Sequence, residues 1–135
     1  RLGVCQEHGK FSILSSIAPA VIEKNYQRLV KEIQTLSQLP TAWVCCNDET
    51  AVCLYRALEL LHIRPGKDIS IIGFDDIESS LLVQPALTTM HVPKKQMGET
   101  ALIRLCSRIE NPGLPLQHIM LPVELVERES VAERR

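Results

Sequence analysis

Residues 42–48 read Ala-Trp-Val-Cys-Cys-Asn-Asp and residues 69–76 read Ile-Ser-Ile-Ile-Gly-Phe-Asp-Asp, and these two stretches are the clearest indication of the fold. Each begins with apolar, β-branched or aromatic residues that do not alternate steadily with polar ones, which is typical of strands buried on both faces of a parallel sheet. Each ends in a polar pair, Asn-Asp in the first and Asp-Asp in the second. The sequence therefore predicts two core strands with polar carboxyl ends.

A helix is predicted between the two strands. Apolar residues recur there at helical spacing, at Ala51, Leu54, Tyr55, Leu58 and Leu61. Parallel strands need such a crossover, and the crossover brings both carboxyl ends to the same edge of the sheet. Ligands of open α/β sheets bind in the crevice beyond that edge. The two polar pairs are therefore well placed to contact a small molecule.

The same pattern extends along the chain. Residues 11–17 fit a strand, and apolar residues at intervals of three and four predict a helix over residues 22–36. Residues 88–92 predict a further strand, and Pro93 suits the first position of a helix. The apolar face of that helix contains Met97, Ala101, Leu102, Leu105 and Ile109, the helix stops at Asn111-Pro-Gly113, and two more short strands are candidates at residues 117–121 and 124–127. The fold class is α/β with a parallel sheet.

The composition excludes several classes of protein. With 135 residues, 45% hydrophobic and 23% charged, the chain is ordinary for one globular domain. A formal net charge of −1 leaves no basic footprint for phosphate backbones, so this segment is not expected to bind DNA itself. No apolar run approaches the ~20 residues that span a bilayer, and the start of the chain lacks the features of a signal peptide, so no membrane contact is expected.

The cysteines and histidines argue against a metal centre. The five cysteines are an odd number without a Cys-x-x-Cys pair, and Cys45, Cys46 and Cys53 are predicted to be small core residues of the strand and helix. Free core thiols fit a reduced, cytoplasmic location. The four histidines have no spacing that places two beside a thiolate. No metal, cofactor or catalytic residue is expected.

Short motifs then follow one another in a definite order over residues 40–130. They are Pro40-Thr41-Ala42, Asn47-Asp48, the stretch 68–76, Pro85-Ala-Leu-Thr-Thr89, Pro93-Lys94, Met97-Gly98-Glu99-Thr100-Ala101, the stretch 108–112 and the stretch 121–130. In this order they resemble the effector-binding domain of the lactose-repressor and purine-repressor family of transcriptional regulators. The resemblance implies the C-terminal part of a periplasmic-binding-protein-like (type I) domain, in which the chain weaves between two lobes.

The resemblance also implies a division of the chain. Residues 1–92 correspond to the C-terminal lobe of the effector-binding domain, residues 93–122 to a crossover segment of the N-terminal lobe, and residues 123–135 to a return strand and tail. Most of the N-terminal lobe is expected upstream of this chain. The apolar face of the helix after Pro93 would then need a partner.

Two residues at the sheet edge, and a third near the start, resemble effector-binding positions of the family. Asn47 and Asp75 match positions that hydrogen-bond the hydroxyls or ring nitrogens of the effector, and Arg1 resembles the family's effector-binding arginine, although its spacing to the following glycine is one residue shorter. The alternatives are that Asn47 or Asp48 only caps the following helix and that Arg1 is solvated. Asp48 and Asp76 are expected to cap or to fix loops, because successive residues leave a strand in opposite directions.

Six residues resemble positions that pair the C-terminal lobes of a homodimer. Three lie on the helix between the strands and three in the segment before Pro85, namely Val52, Tyr55, Arg56, Leu81, Leu82 and Val83. Leu81, Leu82 and Val83 form an apolar patch in a stretch that reads as a loop. Local packing is the alternative explanation of that patch.

The function that the resemblance implies is the effector-sensing and dimerising part of a bacterial transcriptional repressor. It would bind a sugar or a nucleobase-like effector, and operator DNA only through a headpiece upstream of Arg1. A periplasmic sugar-binding protein is an alternative, which would normally be exported and monomeric. An Mg²⁺-dependent phosphoryl-transfer enzyme using Asp48, Asp75 and Asp76 is another, although no Gly-rich phosphate loop or positioned nucleophile accompanies them.

Overall fold

The computed structural model of the chain describes residues 25–132. In chain order these residues form α1 (Tyr26–Gln34), β1 (Ala42–Val44), α2 (Asp48–Leu60), β2 (Ser70–Ile72), α3 (Ser79–Leu82), β3 (Thr89–His91), α4 (Lys94–Glu110) and β4 (Glu124–Val126). The predicted strand at residues 11–17, the start of the first helix at Ile22 and the charged tail lie outside the described residues.

The predicted strand, helix, strand unit is confirmed. β1 and β2 pair in parallel, with Ala42 opposite Ser70 and Val44 opposite Ile72, and α2 crosses between them. Parallel bridges from Ile72 to Thr88 and from Asp75 to His91 place β3 beside the end of β2 and the residues that follow it. β3 then pairs antiparallel with β4. The fold is α/β, as the sequence predicts.

The core lies where α1 and α2 cover one face of this sheet. Its buried apolar side chains are Leu29, Ile33, Trp43, Cys45, Ala51, Cys53, Leu54, Tyr55, Ala57, Leu58, Ile69, Ile71 and Leu87. The prediction that both strand faces are buried is wrong for the described part of the chain, because side chains alternate along a strand. Trp43 and Ile71 are buried, whereas Val44 is 36% exposed and Ile72 half-buried.

Three local predictions are also wrong. Residues 117–121 form no strand, because no neighbouring strand among the described residues is there to pair with their backbone. Leu81 and Leu82 lie in the short helix α3 and not in a loop. Cys46 is exposed, whereas Cys45 and Cys53 are buried as predicted.

The C-terminal helix α4 stands apart from the core. It begins at Lys94, directly after Pro93, and ends before Asn111, close to the predicted bounds. None of its residues is buried. Within residues 25–132, no helix is both long enough and apolar enough to cross a membrane.

Candidate functional site

Asn47 joins the end of β1 to the start of α2. Its backbone is extended, and its Oδ1 accepts a hydrogen bond from the Thr50 backbone N–H at 2.9 Å. The capping role left open by the sequence is therefore confirmed. The cap uses only the amide oxygen, and the Asn47 Nδ2 makes no hydrogen bond to any other residue of the described range 25–132. Asn47 can cap the helix and still donate to a ligand.

Asp48 ties three segments of the edge together. It is fully buried, its Oδ1 accepts from the Thr89 hydroxyl at 2.6 Å, and its Oδ2 accepts from the Ile77 backbone N–H at 2.9 Å. The Asp48 backbone N–H donates to the Phe74 carbonyl at 2.8 Å. Gly73 leaves room for this carboxylate, since a Cβ there would overlap Asp48 Oδ1. The expectation that Asp48 fixes a loop is confirmed.

Asp75 and Asp76 form a turn with a left-handed backbone. Their φ angles are 110° and 49°, values that residues other than glycine rarely adopt and that cluster at functional sites. The Asp75 N–H donates to the Met90 carbonyl at 3.0 Å, and the Lys94 ammonium donates to the Asp75 carbonyl. The half-buried Asp75 carboxylate has no hydrogen-bond partner within residues 25–132. It is available to a ligand.

The Asp76 carboxylate is fully engaged. Its Oδ1 lies 2.6 Å from Arg128 Nη2, and its Oδ2 lies 2.8 Å from His91 Nδ1. Burial alone would raise the pKa of Asp76, but the hydrogen bonds from Arg128 and His91 outweigh burial and hold the pKa below its ordinary value. Asp76 therefore fixes the turn, as expected.

The structure brings Asn47 and Asp75 to the same edge. The hydrogen bond from Asp48 N–H to the Phe74 carbonyl joins the residue after Asn47 to the residue before Asp75. Arg1, the third predicted effector residue, lies outside the described residues. The sequence did not identify Arg128 as a site residue. Its position in the 121–130 motif supported the resemblance but indicated no role for its side chain. The only signal in the sequence is a charged residue two places before Ser130, which is buried in the structure.

The three acids of this edge do not form a metal site. Asp48 is fully buried and accepts from Thr89 and Ile77, and Asp76 is held by Arg128, which leaves one available carboxylate. Within the described range, no group of three or more His, Cys, Asp or Glu side chains is arranged to hold an ion. This geometry gives no support to phosphoryl transfer through Mg²⁺.

A second feature is a groove of about 970 Å³ beside α2 and α3. Five of the six predicted dimer residues line it, namely Val52, Tyr55, Arg56, Leu82 and Val83. Tyr55 belongs to its floor, because the ring is buried, its hydroxyl donates to the Pro85 carbonyl at 3.0 Å, and burial raises its pKa to about 12. Leu82 is 76% exposed and Leu81, on the same short helix, is 58% exposed.

The apolar face of α4 is likewise uncovered. Four residues of its predicted apolar face, Met97, Leu102, Leu105 and Ile109, are between 49% and 69% exposed. Exposed apolar patches of this kind mark surfaces that another part of a protein, or another molecule, covers. The observation agrees with the expectation that this face needs a partner.

Comparison with known proteins gives the class of this chain. The periplasmic binding protein-like domain matches residues 6–131. Among curated relatives, the ribose operon repressor of Haemophilus influenzae is 37% identical over 102 residues, which are 76% of this chain and 31% of that protein. The HTH-type transcriptional repressor PurR of Yersinia enterocolitica is 39% identical over 111 residues, which are 82% of this chain and 32% of that protein.

Solved structures agree. A LacI family transcriptional regulator from Enterococcus faecalis with bound ribose has a TM-score of 0.74 and 34% identity, and the match covers 84% of this chain and 42% of that chain. The lac repressor dimer bound to operator and the anti-inducer ONPF has a TM-score of 0.68 and 31% identity, and the match covers 86% of this chain and 38% of that chain.

The chain belongs to the periplasmic binding protein-like domain family. More narrowly, it matches part of the effector domain of regulators in the lactose-repressor and purine-repressor family, which confirms the resemblance drawn from the motifs. It spans about a third of the length of the curated relatives that it matches.

Proposed function

We propose that this chain is the effector-binding and dimerisation part of a bacterial transcriptional repressor that works in the cytoplasm. It binds a sugar or a nucleobase-like molecule at the edge formed by Asn47 and Asp75, and operator DNA is bound by a separate headpiece of the same protein. Three of the four proteins compared above are named as repressors, which supports this function over transport or catalysis.

The proposed effector site rests on the availability of the Asp75 carboxylate. This carboxylate stands at the carboxyl end of a parallel strand, on a turn held by its neighbours, without a partner in the described part of the chain. A carboxylate accepts two hydrogen bonds from adjacent hydroxyls or from a ring N–H, and the nearby Asn47 amide donates. A regulator of similar structure holds ribose, whose adjacent hydroxyls suit such a pair.

The apolar face of α4 supports the division of the chain into lobes. In this proposal residues 1–92 form the C-terminal lobe and residues 93–122 cross to the N-terminal lobe, whose other parts cover the apolar face of α4. Residues 123–135 are a return strand and tail. A ligand held between two lobes favours one lobe arrangement, and its differential affinity for the two arrangements changes operator affinity by the same factor.

The groove beside α2 supports a homodimer. An isologous dimer needs one surface that is complementary to itself. This chain has apolar projections, Leu81 and Leu82, next to a groove with Val52 and Tyr55 in its lining. A lac repressor of similar structure is a dimer.

Isothermal titration calorimetry on the intact protein tests the effector site, with D-ribose, other pentoses and purine bases as ligands. Asp75→Asn keeps the shape of the side chain and a residue type that tolerates a left-handed backbone, but it removes the charge. We expect about a tenfold or greater loss of affinity, because hydrogen bonds to charged groups are the stronger ones.

Asp68→Asn is the matched control, since Asp68 is an acid on an exposed turn that pairs with Arg64 away from this edge. It should bind the same ligand as tightly as the wild type. Equal affinity of the Asp75→Asn variant and the wild type would remove Asp75 from the site.

A further inference from the structure

Arg128 contacts three separate segments of the fold. Its Nη2 lies 2.6 Å from Asp76 Oδ1, and its Nη1 donates to the Ser80 hydroxyl and to the Leu87 carbonyl, each at 2.8 Å. The side chain is only 13% exposed. The backbone of Arg128 is fixed as well, because its N–H donates to the Thr88 hydroxyl at 2.9 Å. One guanidinium therefore joins the turn, α3 and the segment that enters β3.

The two ends of this connection belong to different surfaces. Asp76 directly follows Asp75, the candidate effector residue, whereas Ser80 directly precedes Leu81 and Leu82 at the candidate dimer surface. Ser80 is fully buried, and its hydroxyl donates to the Ile77 carbonyl at 2.7 Å while it accepts from Arg128. The hydroxyl therefore connects the turn to α3 directly and through the arginine.

The helix α3 depends on such contacts for its position. It has four residues, and a single turn of helix fixes more backbone angles than its own hydrogen bonds compensate. The contacts of Ser80, together with the hydrogen bond from the Leu87 N–H to the Ser80 carbonyl at 2.9 Å, hold it in place. A shift of the guanidinium would therefore move Leu81 and Leu82.

We propose that Arg128 is a positioning residue that holds the Asp75-Asp76 turn and α3 in one arrangement, so that the effector edge and the dimer surface are set by the same side chain. The inference rests on the proposed function, because it takes the edge as the effector site and the groove as the dimer surface. It adds the route by which a change at one surface reaches the other.

Fluorescence-detected sedimentation of the intact protein gives the dimer dissociation constant and needs no knowledge of the effector. Ser80→Ala removes the acceptor on α3 with little change of volume. We expect it to raise the dissociation constant about tenfold, because an isologous dimer contains the altered helix twice. Ser107→Ala is the matched control, since that hydroxyl also donates to a backbone carbonyl, of Ile103, but does not contact Arg128.

Two further variants test whether the change in dimer affinity depends on the contacts of Arg128 with Asp76 and Ser80. Arg128→Lys keeps the charge but lacks the planar fork that reaches Asp76 and Ser80 together, and it should weaken the dimer as much as Ser80→Ala does. Arg108→Lys on α4 is its control. Asp76→Asn removes the charge at the effector edge, outside the lining of the groove, and should raise the dissociation constant about threefold through the weakened ion pair.

The outcomes separate the inference from the proposed function. Thermal unfolding by circular dichroism runs beside the sedimentation, because a merely structural arginine would lower the unfolding midpoint and leave the dissociation constant unchanged. Ser80→Ala and Arg128→Lys dimers as tight as the wild type overturn the positioning role while the dimer stands. An effect of Ser80→Ala without one of Asp76→Asn overturns the connection to the effector edge. A monomeric wild-type protein overturns the proposed dimer, and the inference with it.

Discussion

Replacing Asp48 with alanine removes the carboxylate that joins the two strand ends of the candidate site. In the folded chain its two oxygens accept from the Thr89 hydroxyl at 2.6 Å and from the Ile77 backbone N–H at 2.9 Å. Asp48 and Thr89 are both fully buried. Within the described residues, the Thr89 hydroxyl and the Ile77 N–H each donate only to this carboxylate.

The expected cost follows from these two partners. A buried donor left without an acceptor costs about 1–3 kcal/mol, so the loss of both acceptors lowers the free energy of unfolding by about 2–6 kcal/mol. That is a large part of the ~5–15 kcal/mol that stabilises a typical domain. Thr89→Val removes one of the two hydrogen bonds and leaves Ile77 paired, so its cost is smaller. Because the two side chains touch, the double variant should be less destabilised than the sum of the single ones.

Urea unfolding of the intact protein measures these differences. Trp43 is the only tryptophan of the chain and is 2% exposed in the core next to this edge, so its fluorescence reports the unfolding of the core. Glu99→Ala is the control, because its exposed carboxylate has only the Lys95 ammonium, at 3.9 Å, beside it among the described residues, and its loss should leave the urea midpoint almost unchanged. A loss below about 1 kcal/mol for Asp48→Ala would show that Thr89 and Ile77 do not depend on this carboxylate, because two buried donors without an acceptor cost more than that.

Two further predictions concern titration and thiol chemistry. The pKa of Asp76 lies below its ordinary value of 3.8 in the folded chain, so its ion pair contributes stability above pH 3.8 that is lost as the pH falls through the folded pKa. Asp76→Asn should therefore make the thermal unfolding midpoint depend less on pH over that acid range. An unchanged pH dependence would contradict the ion pair. In the folded protein, iodoacetamide should label the exposed Cys46 and spare its neighbour Cys45, because burial raises the pKa of the Cys45 thiol to about 12. Peptide mass spectrometry measures the labelling of each cysteine. Equal labelling of the two would show that Cys45 is accessible.

The order of elements could be predicted from the sequence because it rests on local patterns. The apolar stretches at 42–46 and 69–74 and the helical spacing between them identified β1, α2 and β2 and their parallel pairing. The burial of each strand face could not be predicted, because it depends on what packs over the sheet. The same limit explains Cys46, which leaves the strand on the side opposite to Cys45. The predicted strand at residues 117–121 does not form, because the described part of the chain offers no strand for it to pair with.

The candidate site was predictable in part for the same reason. Asn47 and Asp75 each follow a recognisable strand, so their shared edge follows from the topology alone. Arg128 lies 52 positions after Asp76, and no periodicity or motif spacing connects residues so far apart. The left-handed backbone at Asp75 was equally hidden, because aspartate gives no signal of a φ of 110°.

The two acids of the turn have different surroundings, and the difference explains why the turn can present an available carboxylate. Asp76 is bound by Arg128 and His91, and Ile77 is bound by Asp48, so the residues directly after Asp75 are held by side chains from two other segments. These ties offset the cost of the left-handed backbone and leave the Asp75 carboxylate as the one acid of the edge without a partner among the described residues. A group held in this way loses little conformational entropy on binding, so the turn itself need not rearrange around an effector.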